Sequence, residues 1–503
     1  MGIPSYFRKI LQKYPGCCQN RAPENISGIY FDFNCLIYRC LKNVKMEWSE
    51  EKNEEWEEEL LEEVKKTVKE VIREGYHSSV GATKKIYLAL DGVVPMAKIR
   101  QQRVRRFKSA WLRERGGGEG WDTNAITPGT KFMDKVARKL EGNGWEVSGV
   151  REAGEGEHKI MRKIREEESG NPAPLLVYGL DADLIILTML VGDEKKRTLW
   201  LMREEQEFQW DKKEDKEKIQ KEQAYTYMNM NEFRNRNQLK TQDHILNYVA
   251  LMTLMGNDFL PHSITHKLGD DGHEYVMEEL RRMMVSKGKW LVKEGKIDVI
   301  VLREIAGRWA EDETEKCFTM IRKKREQAGR GVLRGMDEIE GKPLEWLVEK
   351  ELIDEEGQLL ENWREVYATK WIRHDAKEIC REYVKGCQWV LDYYLGKEVD
   401  KGWMFRSWIP PLWSALRDTL EDTLEIGYER GWKVEAEEQL AMVLPLRSWG
   451  LIHKKEHRKL PIQSPQMWPK EFGYFSLGRK WLWECEAMIP VLTAEYLREI
   501  LKN

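Results

Sequence analysis

No two of the eight cysteines, at positions 17, 18, 35, 40, 317, 380, 387 and 485, form a C-x-x-C pair. That spacing argues against a zinc site or a disulfide framework, and reduced, mostly buried thiols are expected. No stretch approaches eighteen uninterrupted apolar residues, so the sequence predicts no transmembrane helix and no membrane association. The opening Met1-Gly2-Ile3-Pro4-Ser5-Tyr6-Phe7-Arg8 lacks the long apolar region of a signal peptide. Tyr6 stands where a myristoylation motif has Ser or Thr. An intracellular protein is expected, cytoplasmic rather than nuclear. A net charge of −3 excludes little, because nucleic acid is bound by local patches and not by the sum. What the 503 residues do contain is 34% charge, 41% apolar residues and 21 Trp. That composition fits a folded chain with a large core.

Apolar periodicity divides the chain near residue 270. Before it, strand-like and helix-like runs alternate. Strands are expected at Gly28–Asn34, Lys84–Leu90 and Leu175–Gly179. Helices are expected at 3–14, Leu36–Lys42, Glu47–Tyr76, from Lys98 through Trp111, and at Lys131–Leu140, Lys159–Glu168 and His244–Leu254. The alternation predicts an α/β domain over 1–270, with a mainly parallel central sheet flanked by helices. Asp211–Gln223 reads as an exposed lysine-rich insertion. Residues 271–503 read as a mainly helical, Trp-rich domain. No repeat or low-complexity linker separates the two, so the second is expected to pack on the first and complete the active-site pocket.

Seven acids stand out by position. Asp32 and Asp91 each close an apolar strand, where a helix cap is the ordinary explanation for a single Asp. Glu155 and Glu157 flank Gly156 in a glycine-rich turn, which is more than a cap requires. Asp181 and Asp183 follow the third strand; two apart in extended backbone, they would face the same way and repel unless a cation lay between them. Asp258 follows Gly256-Asn257. In parallel sheets ligands bind beyond the carboxyl ends of the strands. Oxygen-only ligation by seven carboxylates suits two Mg²⁺ ions, with Mn²⁺ as a substitute, and such a pair can hydrolyse a phosphodiester.

From Lys98 to Lys108 there are six basic residues and no acid. A solvated face is the default for such a run. In a helix, however, Lys98, Gln102, Arg105 and Arg106 fall on one face at the mouth of a strand, which suits a phosphate.

Taken together, these segments make the chain resemble the XRN family of 5′→3′ exoribonucleases, related more distantly to flap endonucleases. The resemblance is carried by Tyr30-Phe31-Asp32-Phe33-Asn34, Asp91-Gly92-Val93-Val94-Pro95-Met96-Ala97-Lys98 and Gln101-Gln102-Arg103-Val104-Arg105-Arg106-Phe107. It continues in Ile126-Thr127-Pro128-Gly129-Thr130, Gly154-Glu155-Gly156-Glu157-His158-Lys159, Asp181-Ala182-Asp183 and Gly256-Asn257-Asp258-Phe259-Leu260-Pro261-His262. Weaker matches run to Gly478-Arg479-Lys480-Trp481.

The resemblance implies a flap-nuclease-like (PIN-type) sheet. It also implies processive degradation of single-stranded RNA bearing a 5′-monophosphate to nucleoside 5′-monophosphates, by a monomer. The seven acids would bind the two ions, and Lys98, Gln102, Arg105 and Arg106 would form the 5′-phosphate pocket. Tyr38 stands where the family usually has a base-stacking His, and a Tyr ring can stack too. The partner aromatic is expected at Trp403, with Trp408 second. The competing readings are a flap-type DNA nuclease and an inactive RNA-binding scaffold; retention of all seven acids argues against the second.

Overall fold

A computed structural model of the chain describes residues 6–77, 85–116, 120–167, 173–204, 225–286, 288–332, 338–421 and 433–502. The Asp211–Gln223 insertion and the first five residues lie outside them.

Seven strands form the main sheet: β1 (Cys18–Gln19), β2 (Gly28–Asp32), β3 (Lys85–Ala89), β4 (Glu146–Ser148), β5 (Leu175–Tyr178), β6 (Leu199–Glu204) and β7 (Tyr225–Asn229). Their order is β1-β7-β6-β5-β2-β3-β4. The five strands from β6 to β4 are parallel, and β7 and β1 add an antiparallel edge. The mainly parallel sheet expected from the alternation is present; β1, β4, β6 and β7 are additional to the three strands read from apolar runs. The chain passes from β2 to β3 and β4 on one side, then crosses back to β5 on the other. The reversal lies between β2 and β5, where loops part and leave a crevice above the strand ends.

Both faces of the sheet are buried, which explains why its strands read as continuous apolar runs. Ile29 and Phe31 of β2 face one layer and pack with Leu60, Val64, Val68 and Val71 of the helix Asn53–Gly75. Tyr30, Ala89 and Val177 face the other layer. The long charged helix begins six residues later than the sequence pattern suggests. The helix Asp183–Glu194 is buried from Asp183 through Asp193; being apolar on nearly every side, it carries little amphipathic signal. The apolar core of the second face also takes in Trp389, Leu440 and Leu497, so residues on both sides of position 270 share it. Among the described residues no helix is long and apolar enough to cross a membrane.

Candidate active site

The sequence places carboxylates at strand ends, and the parallel register brings those ends together. Asp32 is the last residue of β2 and Asp91 follows β3. The glycine turn after β4 is tied to the loop after β3 by two backbone hydrogen bonds, Gly92 N–H to Gly154 O (2.9 Å) and Gly154 N–H to Val93 O (2.8 Å). That strap delivers Glu155 and Glu157 to Asp91, whose Oδ1 accepts the Gly156 N–H at 2.8 Å. A Cβ on Gly156 would meet Asp32 Oδ1 at 2.7 Å and Ala89 O at 2.8 Å. Only glycine allows so close an approach. Asn34 fixes the other side of Asp91, donating to Oδ2 at 3.0 Å.

Asp181 and Asp183 require a correction. They do not lie in extended backbone; Ala182 is helical and Asp183 opens the helix Asp183–Glu194. The Asp183 N–H points to Asp181 Oδ1 at 3.4 Å, so a helix start, not strand alternation, sets them side by side. Asp258 arrives from the second layer, in a tight turn after Gly256, whose φ of +86° suits glycine.

Glu155, Glu157 and Asp183 are 4%, 5% and 1% exposed, while Asp32, Asp91, Asp181 and Asp258 are half-buried. Burial, reinforced by Asp91 and Asp181, pushes the Asp32 carboxyl well above the ordinary range. Burial and Asp181 do the same to Glu157. Asp183 is pushed up to about 8 by burial, then by Asp181 and Asp258. Among the described residues, a buried oxygen of Glu157 has no hydrogen-bond partner. Carboxylates crowded this way call for a cation.

Part of that demand is met by Lys98, whose Nζ lies 2.5 Å from Glu155 Oε2 and 2.7 Å from Asp258 Oδ2. Burial opposes its charge, yet Asp258 and Glu155 hold its pKa well above the ordinary value. Glu155, Glu157 and His158 also bring donor atoms within 4.8 Å of one another, a possible metal-binding group. His158 adds a nitrogen donor that the all-oxygen expectation left out. The donor set fits a hard divalent ion.

Two further groups were not legible in the sequence. Tyr393 and Tyr394, at the end of the helix Ala376–Tyr394, donate to Glu155 Oε1 (2.8 Å) and Asp183 Oδ2 (2.9 Å). They orient two of the acids from the second half of the chain. Their sequence signal is an adjacent pair of aromatics at the end of one of the weaker family-like stretches, Tyr383–Tyr394, which assigns them no role.

The six cations from Lys98 to Lys108, on the helix Met96–Arg115, divide by task. Arg103 is 2% exposed and donates to the carbonyls of Met442, Met467 and Pro490. Arg100 donates to the carbonyls of Phe405, Arg406 and Ser407 and lies over the Trp408 ring at 4.5 Å. Lys108 donates to the carbonyls of Leu482, Trp483 and Cys485. These three fasten the helix to the second half.

Gln102 and Arg106 are buried, and the Arg106 Nη1 has no partner among the described residues. Burial pulls the Arg106 pKa down to about 10, with Tyr38 and Asp91 among the groups it senses. Arg105 is exposed and turned toward a neighbouring cleft. Arg105 and Arg106 lie about 100° apart, at the two borders of the helical arc that also holds Lys98 and Gln102.

Tyr38 is 43% exposed. Trp403 is 5% exposed, with its ring 5.2 Å from that of Trp389 and its tip against Gly386. The expected stacking face of Trp403 is therefore occupied, and the half-exposed ring of that stretch is Trp408.

Comparison with known proteins gives a consistent answer. Residues 1–205 match the family model described as the XRN 5′-3′ exonuclease N-terminus, and residues 363–503 match the Xrn1 helical domain. The 5′-3′ exoribonuclease 1 of Schizosaccharomyces pombe is 26% identical over 659 residues, covering 100% of this chain and 48% of the relative. The human 5′-3′ exoribonuclease 1 is 26% identical over 601 residues, covering 100% of this chain and 34% of the relative. The 5′-3′ exoribonuclease 2 of Kluyveromyces lactis is 31% identical over 249 residues, covering 37% and 24%. This chain spans less than half the length of each.

Proposed function

The chain belongs to the XRN 5′-3′ exonuclease family, and on that premise we propose that it is a 5′→3′ exoribonuclease. It hydrolyses 5′-monophosphorylated RNA processively to nucleoside 5′-monophosphates, using two Mg²⁺ ions or Mn²⁺ in their place. The observation that carries this reading is the joint burial of an acid cluster with an unpartnered Glu157 oxygen and a neighbouring guanidinium with an unpartnered N–H.

Asp32, Asp91, Glu155, Glu157, Asp181, Asp183 and Asp258 would hold the ions. When bound, such ions supply charge to the phosphate oxygens and an easily deprotonated water. The chain's own residues select and orient the substrate. Arg106 and Gln102 take the terminal phosphate; Arg106 reaches it from an apolar setting, where a charge-assisted hydrogen bond is strong. A 5′-hydroxyl end leaves that guanidinium unpaired. Tyr38 offers an open ring to the first base. Tyr393 and Tyr394 keep Glu155 and Asp183 aimed inward, the office of outer-shell donors in metal sites.

Matched RNAs with 5′-phosphate, 5′-hydroxyl and 5′-triphosphate ends, incubated with Mg²⁺, test the reading. Mononucleotides released only from the 5′-phosphate RNA are expected. Equal decay of all three, or internal cuts, would refute it.

A further inference from the structure

Beside the carboxylate centre lies a cleft of about 1030 Å³, large even against the roughly 300–1,000 Å³ of common ligand pockets. Asp258 and Gln101 line one part of it, so it opens directly onto the acid cluster. Elsewhere on its wall stand Lys267 and Arg479, from the turn after Asp258 and from the loop before Trp481.

Among the described residues neither cation has a carboxylate within close hydrogen-bonding distance. Arg479 is 5% exposed; its Nη1 donates to His262 Nδ1 at 3.1 Å, and its Nε has no partner among the described residues. Its ion pair with Glu486 is long, 3.9 Å from Nη2 to Oε1, and the Glu486 side chain is 40% exposed. Lys267 donates to the Gly478 carbonyl. The acids that face it are engaged elsewhere. Asp270 pairs with Lys323 at 3.0 Å, and Glu484 accepts the backbone N–H groups of Lys480 and Trp481. Burial, with Arg479 adding to it, pulls Lys267 down to about 8, and the same pair helps hold His262 well below its ordinary pKa. Buried cations that repel each other lower their energy by sharing an anion.

We propose that Lys267 and Arg479 form a second phosphate site, separate from the Arg106 pocket, that holds a nucleotide phosphate in the cleft beyond Asp258. The anion site stands on geometry alone; assigning its phosphate to a nucleotide rests on the exonuclease reading. Two sources share this chemistry: the released mononucleotide and the strand still to be degraded.

The test measures binding to the full chain in EDTA, in an Arg106→Gln background that disables the other pocket. The probes are inorganic phosphate, 5′-AMP and a 20-nucleotide 5′-hydroxyl RNA. Adding Arg479→Gln or Lys267→Gln should weaken at least one probe tenfold or more at low salt. Loss of phosphate and AMP binding alone assigns the site to the released nucleotide. Loss of RNA binding, with a salt slope lower by about 0.7 per cation removed, assigns it to the strand.

If Arg479→Gln does not fold, Lys267→Gln carries the measurement, since its side chain is half-buried. Unchanged binding of all three probes, in variants that melt like their parent, overturns the proposal. So does failure of the Arg106→Gln protein to bind any of them. A chain that binds phosphate here but releases no mononucleotide from RNA in Mg²⁺ refutes the exonuclease reading and leaves the anion site standing.

Discussion

Asp183→Asn should make the metal-free protein more stable at neutral pH while abolishing cleavage. Asp183 is 1% exposed and its carboxyl is raised from 3.8 to about 8, by burial and then by Asp181 and Asp258. Between those two values the folded chain holds a proton that the unfolded chain has released. Stability therefore falls as pH rises through this window, by about 1.4 kcal/mol per unit for one proton. It is fully present below the unfolded value and loses nothing more above the folded one. From pH 5 to pH 7 the wild-type loss through this group is about 3 kcal/mol.

Asparagine carries no charge and keeps an oxygen for the Tyr394 hydroxyl, which now sits 2.9 Å from Oδ2. The variant should therefore lose that part of the slope, and Glu157, which the Asp183 charge also raises, should be relieved with it. Urea unfolding followed by tryptophan fluorescence, in EDTA at pH 5, 6 and 7, reads the difference directly. Added Mg²⁺ should flatten the wild-type profile and change the variant less. Parallel pH profiles for the two proteins in EDTA would refute the reasoning.

Other outcomes follow from the same geometry. Arg106→Ala should cost about 10- to 100-fold on 5′-phosphate RNA, the value of a buried charge-assisted hydrogen bond, and little on 5′-hydroxyl RNA; steady-state cleavage of the two substrates decides, and parallel losses would dismiss the pocket. Tyr38→Ala should weaken turnover by about 1–3 kcal/mol of lost stacking while Tyr38→Phe stays near wild type; equal losses in both would point to the hydroxyl. Tyr394→Phe should lower Mn²⁺ affinity about 10- to 100-fold by calorimetry, as loss of an outer-shell donor does, and an unchanged affinity would separate the tyrosine from the ion site.

Much of the site can be read from the chain because strand ends announce themselves. Asp32 and Asp91 close apolar runs, and parallel pairing of β2 with β3 and β5 then brings those ends together whatever the loops do. Glu155 and Glu157 are legible for a related reason, since two acids around a glycine are too many for a cap. What was not legible depends on distant contacts. Arg103 and Arg106 are the same residue type three apart, yet one holds three carbonyls and the other faces Tyr38 and Asp91. Only the packing of residues 442–490 tells them apart. Trp403 and Trp408 differ by burial alone, decided by whether Gly386 leaves room for a ring. The turn at Asp181–Asp183 escaped because the following helix is apolar on nearly every side, so little periodicity marks its start.

The fastening of Arg103 has a consequence for the order in which the molecule can be made. Its guanidinium finds acceptors at Met442, Met467 and Pro490, more than three hundred residues downstream. While the chain emerges from the ribosome, the strands and their carboxylates are complete after about residue 260. The helix that carries Lys98 and Arg106 still has a bare cation on the face meant for the interior. That helix can settle only when the last tenth of the described chain arrives. Assembly of the acidic crevice and of the basic wall opposite it is thus separated in time, and the chain must be made as far as Pro490 before both exist together.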